Sequence, residues 1–209
     1  IKAGPSKFSL VGIVPKSEND SLVAKFYDWD IENFNILTEP YNLRLYGQIN
    51  GELKLGMIKD NPTLSSNINI SKLGINDEIL GEAEIINTWN NSSNTVWINT
   101  NIVKEGDVGK GNIFSAKGSY EPFKKKDNLK IDISFNRFKL KTIEPFISEF
   151  INDLEGTTSG DLKLRGSVKE PILTGNANLN RAGLRVVYLN TKYSFTNSLE
   201  FVKNGIEFD

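Results

Sequence analysis

The chain has 209 residues, 38% of them hydrophobic and 24% charged, with a mean hydropathy of -0.33. Those values suit a folded globular chain, and its longest wholly apolar runs are too short for a helix to cross a bilayer. The net charge of -1 lacks the basic excess of a nucleic-acid-binding protein, and the absence of Cys and His removes disulfides, thiolate nucleophiles and the common zinc sites.

In chain order, 7–14 and 21–27 read as two strands joined by a turn at 15–20. Residues 34–46 read as a strand pair broken near Pro40. A meander follows, in which Leu53 and Leu55 alternate with Glu52 and Lys54, and Ile68 and Ile70 with Asn67, Asn69 and Ser71. Residues 81–86 and 95–103 give two more strands around an Asn- and Ser-rich turn at 87–94, with Trp89 and Trp97 placed to pair across it. A charged turn at 104–110, a strand at 111–120 and a loop at 121–128 come next; the lysines at 124–126 read as a solvated hairpin tip.

The cleanest strand is 129–140, with Leu129, Ile131, Ile133 and Phe135 on one face and Lys130, Asp132, Ser134 and Asn136 on the other. The period then changes. Ile143, Phe146, Ile147, Phe150, Ile151 and Leu154 share a helical face, which predicts a short amphipathic helix over 143–154, capped by Thr142, ended by Gly156 and packed on the lip of the sheet. A second meander covers 156–195, with Leu162 and Leu164 opposed to Asp161, Lys163 and Arg165 and with Leu179, Leu184 and Val186 further on. Three strand-like pieces close the chain, with a hairpin signal at 204–205.

The two meanders repeat one another. Residues 47–76 lie on 156–185 without a gap at an offset of 109, with 10 identities in 30 positions, among them Gly47/Gly156, Gly51/Gly160, Leu53/Leu162, Leu55/Leu164, Pro62/Pro171 and Gly74/Gly183. Upstream, the run 34–41 resembles 138–146 with one inserted residue. The expected organisation is one elongated β domain over 1–209, with internal repeats at about 31–137 and 138–209, the second copy truncated.

No nucleophile elbow, Ser-x-x-Lys pair, calcium loop or phosphate-cradling loop is present, so the chain does not read as an enzyme, and no cofactor or metal is expected. The fold expected is all-β: a long antiparallel sheet with one apolar face and too little helix to cover it. Such a sheet packs on a second sheet, closes into a barrel, or curls into a trough whose apolar interior holds something else. A repeat that stacks along one axis favours the trough. Some 14–16 strands at about 4.8 Å would make it roughly 70 Å long, too short to bridge two membranes alone.

The Gly-x-Leu-x-Leu-x-Gly pattern at 160–166, the Pro-x-Leu-x-Gly turn (Pro171, Leu173, Gly175) and the run Val186, Val187, Tyr188, Leu189 and Tyr193 resemble the C-terminal region of the TamB proteins, part of the AsmA-like group of Gram-negative envelope proteins. The resemblance covers about 129–209 well and 31–120 more loosely, where Gly56 and Ser66 depart from the later copy. It implies a taco-like curved sheet whose hydrophobic groove shields phospholipid acyl chains between the inner and outer membranes. It also implies a link to outer-membrane protein assembly, an Omp85-type outer-membrane barrel (TamA-like) as partner, and a periplasmic place within a longer, inner-membrane-anchored protein. The start without Met and the stop inside an alternating segment fit the same expectation of a fragment. The groove candidates are Leu53, Leu55, Ile68, Ile70, Ile131, Ile133, Phe135, Leu162, Leu164, Leu179, Leu184 and Val186. The competing reading is a β-sandwich adhesin or scaffold module with these residues as its closed core.

Overall fold

A computed structural model describes residues 6–17, 20–58, 61–106, 109–203 and 205–208. Its strands are β1 (Lys7–Gly12), β2 (Ser21–Asp30), β3 (Leu45–Ile58), β4 (Asn61–Ile75), β5 (Glu78–Asn90), β6 (Thr95–Gly106), β7 (Gly109–Tyr120), β8 (Leu129–Lys139), β9 (Ile151–Gly166), β10 (Pro171–Val186), β11 (Thr191–Phe195), β12 (Ser198–Val202) and β13 (Gly205–Phe208). All 13 lie in one antiparallel sheet in chain order, with β1 and β13 at opposite open edges. The order β1 to β10, then β12, then β13 makes twelve rows, because β11 and β12 share one: β10 pairs β11 along 182–186 and β12 along 175–178. Twelve rows span roughly 55 Å, somewhat less than the strand estimate from sequence. The described residues form no second sheet and the edges do not meet, so the sandwich and barrel solutions do not apply.

The rows fall into two units of six. β2, β3 and β4 correspond to β8, β9 and β10 at the offset of 109, β5 corresponds to β11 plus β12, and β6 to β13. β1 corresponds to β7: Phe8-Ser9 and Gly12 match Phe114-Ser115 and Gly118, three residues out of step with the main offset.

The finer geometry repeats too. Asp28 and Arg137, 109 apart, sit in the left-handed region at φ 46 and 48. Each bulge N–H is held by a side chain on the next row, Asn50 Oδ1 at 2.9 Å and Ser159 Oγ at 2.8 Å, again 109 apart. Lys72 and Arg181 form a second matched pair at φ 53 and 50. Each bulge adds a residue, so apolar side chains three apart in sequence, Phe26 and Trp29 or Ile70 and Leu73, stay on one face. It also bends the strand.

After β2 and after β8 the chain makes a 3-10 turn (Ile31–Phe34, Leu140–Ile143) and a single turn of α-helix, α1 (Asn35–Thr38) and α2 (Glu144–Ile147), each 109 apart. Six rows separate them, an even number, so both turns lie on the same rim. Each is pinned to the head of its next strand. Asn35 Oδ1 accepts the Leu45 N–H at 2.7 Å while its Nδ2 donates to the Leu45 carbonyl at 3.0 Å; Glu144 accepts the Leu154 N–H at 2.6 Å. Asn35→Ala leaves the part-buried Leu45 amide and carbonyl without these partners. It is expected to lower stability by about 1–3 kcal/mol in urea unfolding, with Asn35→Asp, which keeps the acceptor, losing less.

Several expectations need correcting. The helix over 143–154 is confined to α2, and Ile151 and Leu154 already belong to β9. Gly156 ends no helix; it lies inside β9 at φ 88. Residues 34–41 are helical turns, not a strand pair, because they are the first copy of the same rim segment. Trp89 lies opposite Val96 and Trp97 opposite Thr88, so the two indoles point to opposite faces; Trp89 meets Phe123 edge-on instead. The turns placed at 15–20, 104–110 and 204–205 fall in part outside the described residues.

Candidate functional site: an apolar trough

The register carries one face across the whole sheet. From Ile70 it passes to Ala83, Ile102, Phe114 and Phe135; from Leu55 to Leu64; and from Ile131 and Ile133 to Leu164 and Leu162. It continues through Leu173 and Ala177 to Leu199, and through Leu184 to Tyr193. All twelve candidate residues, from Leu53 to Val186, lie on this face. The opposite face carries Lys25, Glu52, Lys117, Asp132 and Lys163, with ion pairs Lys25–Glu52 and Arg165–Asp132 along it. Such exposed pairs favour solubility more than stability.

The sheet curls around the apolar face. Lys139 at the end of β8 pairs with Glu78 at the start of β5, and Lys141 Nζ lies 3.8 Å from Asp77. Strands three rows apart in a flat sheet would be separated by about 14 Å, so these contacts require the rim to close inward. The rim turns follow, burying Ile31 and Leu140 against the face. Tyr41 and Leu43, just after the first turn, and Phe146 and Phe150, within and just after the second, line a shared pocket of about 580 Å³.

Filling differs along the trough. In the first unit, Ile31, Ile49, Ile70, Leu73, Leu80, Ala83 and Ile102 pack together and Ile68 and Ile70 are buried. At β8 and β9 the face is only half-buried: Ile131, Ile133, Phe135, Leu162 and Leu164 are neither core nor free surface. At the far end, Leu140, Leu154, Leu179 and Ala182 occupy the places that Ile31, Leu45, Ile70 and Leu73 hold in the first unit. Here they surround an apolar pocket of about 500 Å³, completed by Leu184, Phe195 and Leu199. The first unit packs Leu80 and Ile102 into the same space, and there β5 is one long row, whereas its counterpart in the second unit is the two short strands β11 and β12.

Sequence reasoning missed Phe26, Phe114, Phe138, Leu140, Leu154, Phe195 and Leu199 as members of this face. For Phe26, Phe138 and Leu154 the available signal was apolar spacing of three within a strand, the mark of a bulge.

The polar chemistry is sparse. Arg185 Nε donates to Asp153 at 2.9 Å, and that hydrogen bond, with the Arg185 and Lys192 charges, holds the Asp153 carboxyl below its ordinary value against the opposing effect of desolvation. Among the described residues no cluster of His, Cys, Asp or Glu could hold a metal, and no helix is long and apolar enough to cross a membrane. Comparison with protein-family models, with curated proteins and with solved structures found no match.

Proposed function

We propose that the chain is a segment of a TamB-like periplasmic bridge whose apolar trough shields phospholipid acyl chains on their way between inner and outer membranes. The observation that carries this reading is the continuous apolar face of a single open sheet, half-buried at β8 and β9 and ending in an apolar pocket. A closed module has no use for such a face. Each methylene taken out of water is worth about 0.8 kcal/mol, so an acyl chain does not cross an aqueous gap unaided at a useful rate. The trough lowers that barrier by offering apolar contact over its length, while headgroups stay in solvent at the open mouth. No side chain acts chemically. An outer-membrane barrel of the Omp85 type as partner, and a part in outer-membrane protein assembly, belong to the same proposal and rest on the sequence resemblance.

Native mass spectrometry of the purified chain, followed by lipid extraction, tests the reading. The expected result is near-stoichiometric phospholipid. A photo-crosslinking residue at position 164, on the trough face, should capture lipid, and one at 163, on the polar face, should not. A folded, lipid-free chain with equal labelling at both positions would remove the transport reading.

A further inference from the structure

We infer that the pocket between the two rim turns holds the ammonium group of a zwitterionic phospholipid headgroup, with Arg44 beside it to take the phosphate. The inference rests on the trough reading for its source of lipid; the pocket itself is walled by residues outside both trough clusters. Both rim segments supply the same tripeptide, Glu-Pro-aromatic: Glu39-Pro40-Tyr41 and Glu144-Pro145-Phe146. In a flat sheet, turns six rows apart would stand about 29 Å from one another. Here the hairpin between β4 and β5 ties them together. On one side, Asn76 Oδ1 accepts the Arg44 N–H at 2.7 Å and Asn76 Nδ2 donates to the Asn42 carbonyl at 3.1 Å. On the other, Asp77 lies 3.8 Å from Lys141 Nζ. Pro40, Tyr41, Pro145, Phe146 and Phe150 then wall one cavity.

The walls suit an organic cation. Tyr41, Phe146 and Phe150 are 73%, 66% and 71% exposed, and none of the three meets another aromatic ring among the described residues. Aromatic faces attract ammonium groups, the usual basis for recognising quaternary ones. The charged residue in the lining is Glu149, a carboxylate with no ion pair among the described residues, and no Lys or Arg accompanies it there. Arg44 lies in an adjoining pocket that shares Asn42 with the first, and its guanidinium is unpaired among the described residues as well. That second pocket also holds Glu39, and Asp77 already beside Lys141. A phosphate arriving without an ammonium therefore meets Glu39 and Glu149 around a single guanidinium, whereas a zwitterion satisfies both signs. The second turn stands between this pocket and the trough. Ile147 packs on the trough cluster and Ile143 lines the far cavity, while Phe146, three residues from Ile143, lines the rim pocket. Positions three apart on a helical turn are neighbours, about 5–6 Å at Cβ. A phospholipid with its chains on the trough face reaches the rim pocket with its headgroup.

Phosphocholine carries both charges and no acyl chain, so it reads the rim pocket without the trough. In saturation-transfer NMR at millimolar concentration, its methyl protons should receive saturation from the folded chain. Glycerol 3-phosphate, which lacks the ammonium, should receive none. Glu149→Gln and Phe146→Ala, both changes of exposed side chains, should keep the circular dichroism of the parent and each remove most of the phosphocholine signal. In native mass spectrometry with equal amounts of dihexanoyl phosphatidylethanolamine and phosphatidylglycerol, the parent should carry the ethanolamine lipid in roughly two- to fivefold excess, the range that one exposed cation–π contact supplies. Glu149→Gln should bring the two lipids close to parity. A chain that carries lipid but takes no phosphocholine, or phosphocholine binding that survives both substitutions, would overturn the rim site and leave the trough reading standing. Phosphocholine bound by a chain that carries no lipid would remove the trough reading, and with it the phospholipid as the source of the ammonium.

Discussion

Ile70→Asp is expected to unfold the chain, and Ile133→Asp is not. Both residues lie on the trough face and both replacements add one carboxylate. Ile70 is 5% exposed, between Ile49 and Ala83 in the packed first unit. A carboxylate there has no cationic partner in its cluster and must be desolvated or protonated. The loss should exceed about 4 kcal/mol, a large part of the roughly 5–15 kcal/mol that holds a typical domain together. Ile133 lies between Ala116 and Leu162 on the half-buried floor, where a carboxylate still reaches water. Its cost should stay near 1–2 kcal/mol, because only part of an isoleucine's apolar surface is given up there. Tryptophan fluorescence in urea should show no folded baseline for Ile70→Asp and a normal, earlier transition for Ile133→Asp. The second variant should also lose hydrocarbon occupancy in native mass spectrometry. If Ile133→Asp unfolds as completely as Ile70→Asp, the floor at β8 is core, and the trough reading fails with it.

The contrast between those two positions marks the limit of what the sequence shows. Period-two alternation is local, so it placed Ile70 and Ile133 on the same side of the sheet and collected all twelve face residues. It carries no information on curl, and curl decides that Ile70 is packed and Ile133 is not. The misread helix has a related cause. A helix brings residues three and four apart to one face; a bulge in a strand does so for residues three apart. Asp153, in the left-handed region at φ 53, lies between Ile151 and Leu154, and that spacing continued the helical pattern of Ile143 to Phe150 into what is β9. The match between β1 and β7 escaped a gapless search because its offset differs by three residues from that of the meanders. The far pocket was not legible at all, since it borders two short strands, β11 and β12, where the first unit has the single long row β5, a property of row lengths and not of any residue in its wall.

Gly51→Ala is expected to cost about 3 kcal/mol or more, an unusual amount for a single added methyl. Gly51 has φ +123, a conformation that side chains rarely adopt, and a Cβ there would stand 2.0 Å from the Asn67 carbonyl oxygen of the neighbouring row. That oxygen belongs to the strand backbone, so relief requires the row itself to shift. The counterpart shares the close approach, though not the positive φ: a Cβ on Gly160 would stand 2.1 Å from the Asn176 oxygen, and both glycine and carbonyl are 109 residues on. An aromatic ring faces each bare position, Phe26 opposite Gly51 and Phe135 opposite Gly160. A phenylalanine across from a glycine restores the packing that the missing side chain forfeits, and the ring is then one more group that a methyl would displace. Gly111→Ala is the control, since a Cβ there meets nothing within 4 Å, and it should change stability by less than about 0.5 kcal/mol. Urea midpoints at unchanged m-value provide the comparison. A Gly51→Ala chain within about 1 kcal/mol of the parent would mean that the rows part at this point at little cost. The close approach of β3 and β4 would then not be what fixes the bend of the trough beside Phe26.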